Sequence, residues 1–374
     1  MHHDAATPSA AGSPAPRATA LLSMCGQSLW IDNITRAMLG GQLQTYIAQW
    51  SVVGLTSNPT IFAKAIKGSG DYDAQVAELA AKGMKPEEIF FELALADLTR
   101  ACDLFRGVHA RTGGVDGWCS LEVSPLLAND ARSTVEQAVA LHARAGRSNL
   151  FIKVPGTPEG AQAIEELIVR GVPINVTLLF STSQWRAAAE AFLRGLERRA
   201  SQGLPLDVAS VASLFISRWD TLVDPRLPSE LRGKAGLAVG AATYAEYVRL
   251  FSGDRWLALQ AKGARPQRLL YASTSTKDPA MPPCMYVEGL ASPLTVNTIP
   301  EATLKTFHET GRVGGLLPVD GSAAVATLRA IEAAGQGVEA NARTLQEQGA
   351  RSFDASWNEL LADISAKMGA LQGR

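Results

Sequence analysis

Eight short, continuously apolar runs, each followed by a longer stretch of mixed polarity, set the tightest limit on how this chain folds. The runs are Ser28–Asn33, Val52–Asn58, Trp118–Val123, Asn149–Val154, Ile174–Leu179, Asp207–Phe215, Arg268–Thr274 and Leu294–Ile299. Most lack the alternation of a half-exposed strand, so both faces must be covered, as in a parallel sheet under helices. Between them lie amphipathic segments such as Ala74–Lys82, Glu87–Arg106, Ser133–Arg144, Gly160–Arg170, Ser181–Arg199 and Gly236–Lys262. Eight such units in about 270 residues match the α/β architecture of a (β/α)8 TIM barrel. A doubly wound sheet would need a glycine-rich phosphate loop after its first strand. The segment after Asn33 (ITRAML) has no GxGxxG, and no GxxxxGK[ST] occurs elsewhere.

After Ile299 the pattern turns helical over Pro300–Glu309, Ser322–Ala334, Gly337–Arg351 and Phe353–Leu371, more than the eighth unit needs. No Gly/Ser/Pro linker sets this excess apart, so residues 21–374 read as a single barrel domain with additional C-terminal helices. Those helices either cover the barrel exterior or close over its mouth. Residues 1–20 are Ala/Pro/Ser-rich and read as a disordered tail, without the charged-then-apolar order of a secretory signal.

Charge and cysteine usage exclude several classes of partner. Lys+Arg 35 against Asp+Glu 36 gives a net charge of -1, so nothing calls for nucleic acid or an anionic membrane. No apolar stretch approaches the ~18 residues that span a bilayer. Cys25, Cys102, Cys119 and Cys284 form no CxxC pair and read as thiols in a reducing compartment, which places the chain in the cytoplasm.

Polar residues gather where such a barrel keeps its chemistry, at the C-terminal ends of the strands. Lys153 sits in the apolar run NLFIKV, closed by Pro155-Gly156. A lysine there either snorkels to solvent or is desolvated, and desolvation favours a neutral amine able to attack a carbonyl. Strand ends around it supply Asp32, Asn58, Glu122, Asn175 with Thr177, and Ser213 followed by Arg218. The seventh run ends in Ser273, Thr274, Ser275, Thr276 and Lys277. An amine, two carboxylates for proton transfer and cations for a phosphate imply carbonyl chemistry through an iminium. Asp32 reads alternatively as a helix cap, Arg218 as a partner of Asp220 or Asp224, and Ser273 to Thr276 as an ordinary turn. Trp30, Trp118 and Tyr271 read as core.

These residues resemble the transaldolase family of class I aldolases, from about Leu29 to about Glu309. The resemblance rests on SLWIDNI, GLTSNPTIF, FIKVPGTPEG and GVPINVTLLFS. It implies a pentose-phosphate-pathway transferase in which Lys153 forms the Schiff base and Asp32 handles the C4-hydroxyl proton. Glu122 with Thr177 then positions a water, and Asn58 and Asn175 hold the dihydroxyacetone hydroxyls. Arg218 falls at the phosphate-binding arginine. Ser273 and Lys277 fall where the family often has Ser and Arg, with a longer spacing here. The resemblance implies sugar-phosphate substrates, a monomer or homodimer, and no metal or organic cofactor, since the iminium is itself the electron sink. Fructose-6-phosphate aldolases of the same superfamily tend to be shorter, with Tyr where Phe215 stands and Gln in place of Glu122. Both positions favour transfer over release.

Overall fold

The computed structural model describes residues 16–372, in which eight parallel strands close into a barrel in sequence order. They are β1 (Ser28–Asp32), β2 (Val52–Thr56), β3 (Trp118–Glu122), β4 (Leu150–Pro155), β5 (Ile174–Leu179), β6 (Ser210–Phe215), β7 (Gln267–Ala272) and β8 (Val296–Ile299). Each lies within or beside one of the apolar runs. β3 to β6 are buried at every position, which is why their sequences do not alternate.

Alternation is still present in what each side chain meets. Trp30, Trp118 and Phe151 point inward and stack, with Trp118 and Phe151 centroids 4.0 Å apart and Trp30 and Phe151 6.0 Å apart. They form an aromatic floor to the barrel. Two residues further along the same strands come Asp32 and Lys153, and four further on β3 comes Glu122, all on the inward face. The floor is thus the reason the polar groups sit at the mouth: the same strands carry both. Gly54 on β2 makes the floor possible, because a Cβ there would lie 2.5 Å from the Trp30 indole.

Helix starts are set by local chemistry. Asn58, Asp130, Thr157 and Ser181 each accept a hydrogen bond from a backbone N–H of the helix they open, and proline follows Asn58 and Thr157 directly. Three expected helices differ in extent. Gly236–Lys262 divides into Ala235–Leu250 and Asp254–Gln260, separated at Ser252-Gly253. Gly337–Arg351 and Phe353–Leu371 instead form one helix, Val338–Gln372. Its buried seam runs through Ala342, Leu345, Phe353, Trp357, Leu360 and Ile364 at helical spacing, so Ser352 is simply an internal position. The tail reading for residues 1–15 lies outside the described residues. Its remainder differs: Ala18–Met24 is helical, with Ala18, Thr19 and Leu22 buried and the Thr19 hydroxyl 2.9 Å from His308 Nδ1.

Helix Val338–Gln372 lies across the C-terminal end of the barrel. Trp357 packs edge-on against Phe90 (5.0 Å), Thr60 donates to Ser356 (2.8 Å), and Gln346 donates to the carbonyls of Gly156 (3.0 Å) and Leu178 (2.9 Å). Gly349 permits this approach, since a Cβ would come within 2.9 Å of the Leu178 side chain. All four cysteines are free, and Cys102, Cys119 and Cys284 are buried. Among the described residues no helix is long and apolar enough to cross a membrane.

Replacing Gly54 with Ala forces the methyl group into Trp30. We expect a loss of about 1–3 kcal/mol in urea denaturation, the range for overpacking a tight core.

Candidate active site

Strand register brings the reactive groups together. Glu122 on β3 pairs with Lys153 on β4, and Lys153 pairs with Asn175 on β5. The Lys153 ammonium donates to Glu122 Oε2 at 3.3 Å and to the Ser57 carbonyl at 3.4 Å. Both side chains are almost fully enclosed, at 6% and 7% exposure. The lysine therefore does not snorkel. Removing one partner of such a buried pair strands the other and costs roughly 3–5 kcal/mol.

Asp32 stands across the cavity from this pair and caps no helix. Its Oδ1 accepts from the Thr56 hydroxyl (2.8 Å), which is in turn 2.6 Å from the Thr298 hydroxyl. Burial raises the Asp32 pKa above the ordinary carboxylate value, opposed by the charge of Lys153, the Thr56 hydrogen bond and the charge of Lys277. Burial likewise raises Glu122, opposed by the charge and hydrogen bond of Lys153 and reinforced by Asp32. Two carboxylates with raised affinity for a proton thus flank one amine.

Above them opens a cavity of ≈ 310 Å³. Of the residues singled out in the sequence, Asp32, Asn58, Lys153, Ser213, Phe215, Arg218, Ser273, Ser275 and Lys277 line it. Glu122, Asn175 and Thr177 do not; they form the layer beneath. The Ser213 hydroxyl donates to Asn175 Oδ1 (2.7 Å), and Asn175 Nδ2 donates to Ser120 Oγ (3.1 Å). Thr177 Oγ1 is buried with no protein partner among the described residues. Asn58 uses its side-chain oxygen to cap helix Pro59–Lys67, and its amide nitrogen takes no partner among those residues.

Arg218 makes no ion pair among the described residues. Asp220 accepts instead from the N–H groups of Ala235 and Gly236 and from the Tyr286 hydroxyl, and Asp224 accepts from the Gly233 N–H. The guanidinium lies 5.5 Å from the Phe215 ring centroid, and burial lowers its pKa. Ser273 adopts a left-handed conformation (φ 56°) and its hydroxyl lies 2.8 Å from Ser217 Oγ, while Lys277 donates to Ser275 Oγ at 2.6 Å. Burial, then the charge of Arg218, lowers the Lys277 pKa.

Several cavity residues escaped the sequence reading. Thr56 and Thr298 follow from strand parity with Gly54 and Val296, and Thr298 gives β8 its own polar contribution. Thr60 and Lys64 follow from extending PTIFAKAIK as a helix, where positions four apart share a face. Ser352 and Phe353 had no local signal, because they reach the mouth only through the docking of helix Val338–Gln372.

Residues 29–364 match the Transaldolase/Fructose-6-phosphate aldolase family. A protein of Frankia alni named transaldolase is 43% identical over 358 residues, covering 93% of this chain and 96% of its own length. Transaldolases of Thermobifida fusca and Neisseria gonorrhoeae are 44% and 42% identical, covering 93% and 91% of this chain and 98% and 97% of their own.

Because folding raises the Asp32 pKa, its ionisation works against the folded state. That cost is absent below the ordinary value of 3.8 and complete once the pH passes the raised one. Asp32→Asn is therefore expected to raise the urea midpoint at pH 7 relative to the parent. The gain should shrink as the pH falls toward 4; a gain independent of pH would contradict the assignment.

Proposed function

Because the chain belongs to the transaldolase/fructose-6-phosphate aldolase family, we propose that Lys153 is its Schiff-base amine and that the cavity above it is the substrate site. The activity is that of a transaldolase of the pentose phosphate pathway. A dihydroxyacetone unit passes from sedoheptulose 7-phosphate or fructose 6-phosphate to glyceraldehyde 3-phosphate or erythrose 4-phosphate. One observation carries the assignment of the site: a buried ammonium 3.3 Å from Glu122, in a cavity that Asp32 also lines.

In this reading Glu122, with its raised proton affinity, takes a proton from Lys153 and frees the amine to attack the ketose carbonyl. The carbinolamine loses water to give an iminium, and the water sits between Glu122 and the unpartnered hydroxyl of Thr177. Asp32 then accepts the C4-hydroxyl proton. The C3–C4 bond breaks, its electrons flow toward the iminium nitrogen, and an aldose phosphate leaves. The enamine stays on Lys153 until an acceptor aldehyde arrives and the steps reverse.

Asn58 holds the hydroxyls of the three-carbon unit from the cavity wall, and Asn175, oriented by Ser213, meets them from the layer beneath through the second N–H of its amide. The phosphate lies toward Arg218, Lys277 and Ser273, with Lys64 as a further cation on the cavity wall. Phe215 and Glu122 favour transfer over release of free dihydroxyacetone. Barrel and C-terminal helices act as one domain, since Phe353 on the last helix lines the same cavity as the strand-end residues. Every group in the scheme comes from one chain, so a monomer or homodimer suffices, and the cytoplasm is its place of action.

Borohydride reduction in the presence of fructose 6-phosphate should label Lys153; an unlabelled Lys153 peptide would sink the assignment. Lys153→Ala should abolish turnover with the circular dichroism spectrum unchanged. Asp32→Ala should still be trapped by borohydride but lose about 10²–10⁴-fold in turnover, the usual weight of a general acid–base. Equal loss of trapping and turnover would reassign Asp32.

A further inference from the structure

Phe353 differs from the other aromatic residue on its helix seam. Trp357, one turn on, packs against the rings of Phe90 and Phe91. Phe353 pairs with no aromatic ring among the described residues. Its ring faces Lys153, with Nζ 5.6 Å from the centroid. Phe353 is 6% exposed and lines the cavity. Around the nitrogen the protein thus supplies a carboxylate (Glu122), a carbonyl (Ser57) and the aromatic face of Phe353. Gln346, two turns before Phe353, holds that surface in place by bonding the ends of β4 and β5 through Gly156 and Leu178.

We propose that Phe353 is a positioning residue that sets the balance between transfer and hydrolysis by keeping bulk water off the Lys153 nitrogen and its attached carbon. The proposal rests on the Schiff-base reading of Lys153. After cleavage the enamine has two fates. Attack on an acceptor aldehyde forms a new carbon–carbon bond. Alternatively, C3 takes a proton, regenerating the iminium; water adds at C2, the C2–N bond breaks with its electron pair returning to nitrogen, and free dihydroxyacetone leaves. The second route consumes water. Glu122 and Thr177 manage one water from beneath, whereas the open mouth admits many. A ring lying over the nitrogen from the mouth side blocks that approach, and its face also favours a cationic nitrogen. Water exclusion depends on the bulk of the side chain, and the cation effect depends on its aromaticity, so substitutions separate them.

The experiment measures free dihydroxyacetone released from fructose 6-phosphate against transfer to erythrose 4-phosphate, each scaled to borohydride-trapped enzyme. Leu, Val and Ala at position 353 form the series. Phe353→Ala should raise the release-to-transfer ratio about tenfold, equivalent to ~1.4 kcal/mol. Phe353→Leu should stay within about twofold of the parent and Phe353→Val should fall between. If Ala fails to fold, Leu against Val decides the order. A flat series, or Leu rising as far as Ala or Val, overturns the proposal. A parent enzyme that neither transfers nor is trapped would overturn the underlying reading instead.

Discussion

An ammonium enclosed in a closed barrel is the constraint around which this molecule is arranged. Lys153 cannot lean out between strands, because each strand is paired on both sides, and the aromatic floor of Trp30, Trp118 and Phe151 closes the way down. Only the mouth remains. Its bonds to Glu122 and Ser57, at 3.3 and 3.4 Å, are at the loose end of the hydrogen-bond range. The ammonium is enclosed more than it is clasped. Its partner Glu122 is a carboxylate whose proton affinity burial raises. Rigidity comes from the frame more than from the ion pair.

Much of this was legible in the sequence, for a physical reason. Parallel strands buried on both faces leave continuous apolar runs, and a polar residue inside such a run is costly enough to stand out, as Lys153, Glu122 and Asn175 did. Helix breaks were less visible. Ser252-Gly253 interrupts a helix while Ser352 does not, and the difference lies in what each side of the helix packs against. The roles of Thr56 and Thr298 were hidden because threonine is ordinary in strands; their hydroxyls matter only through each other and through Asp32 on β1, the strand between them. Arg218 shows the converse. Two aspartates nearby in sequence offered a surface ion pair, but both bond to backbone N–H groups and leave the guanidinium to the cavity.

The long C-terminal helix was visible as helical propensity and invisible as part of the site. Its contacts join positions nearly two hundred residues apart, such as Gln346 with Gly156. They depend on a missing side chain at Gly349 and on a left-handed backbone at Leu178 (φ 63°), neither of which announces itself locally. Strain of this kind persists only where surrounding structure enforces it. Leu178 and Ser273 both carry it, and both lie at strand ends facing the mouth. Ser51 and Leu294 share this conformation at the other end of the barrel, just before β2 and β8, so of the four such residues two lie where the helix docks and the cavity opens.

Lys64, Arg218 and Lys277 stand on the cavity wall with no carboxylate bonded to any of them among the described residues, on a chain whose net charge is only -1. The positive potential is therefore local to the mouth. At physiological ionic strength its reach is about 8 Å, so it does not gather anions from a distance. On the proposed reading it would act over the final approach, turning a phosphorylated sugar so that its charged end faces these three residues and its carbonyl end leads toward Lys153. Encounter would then be faster and better oriented in dilute buffer than in salt, and other small phosphates would compete for the same entrance whether or not they carry a carbonyl.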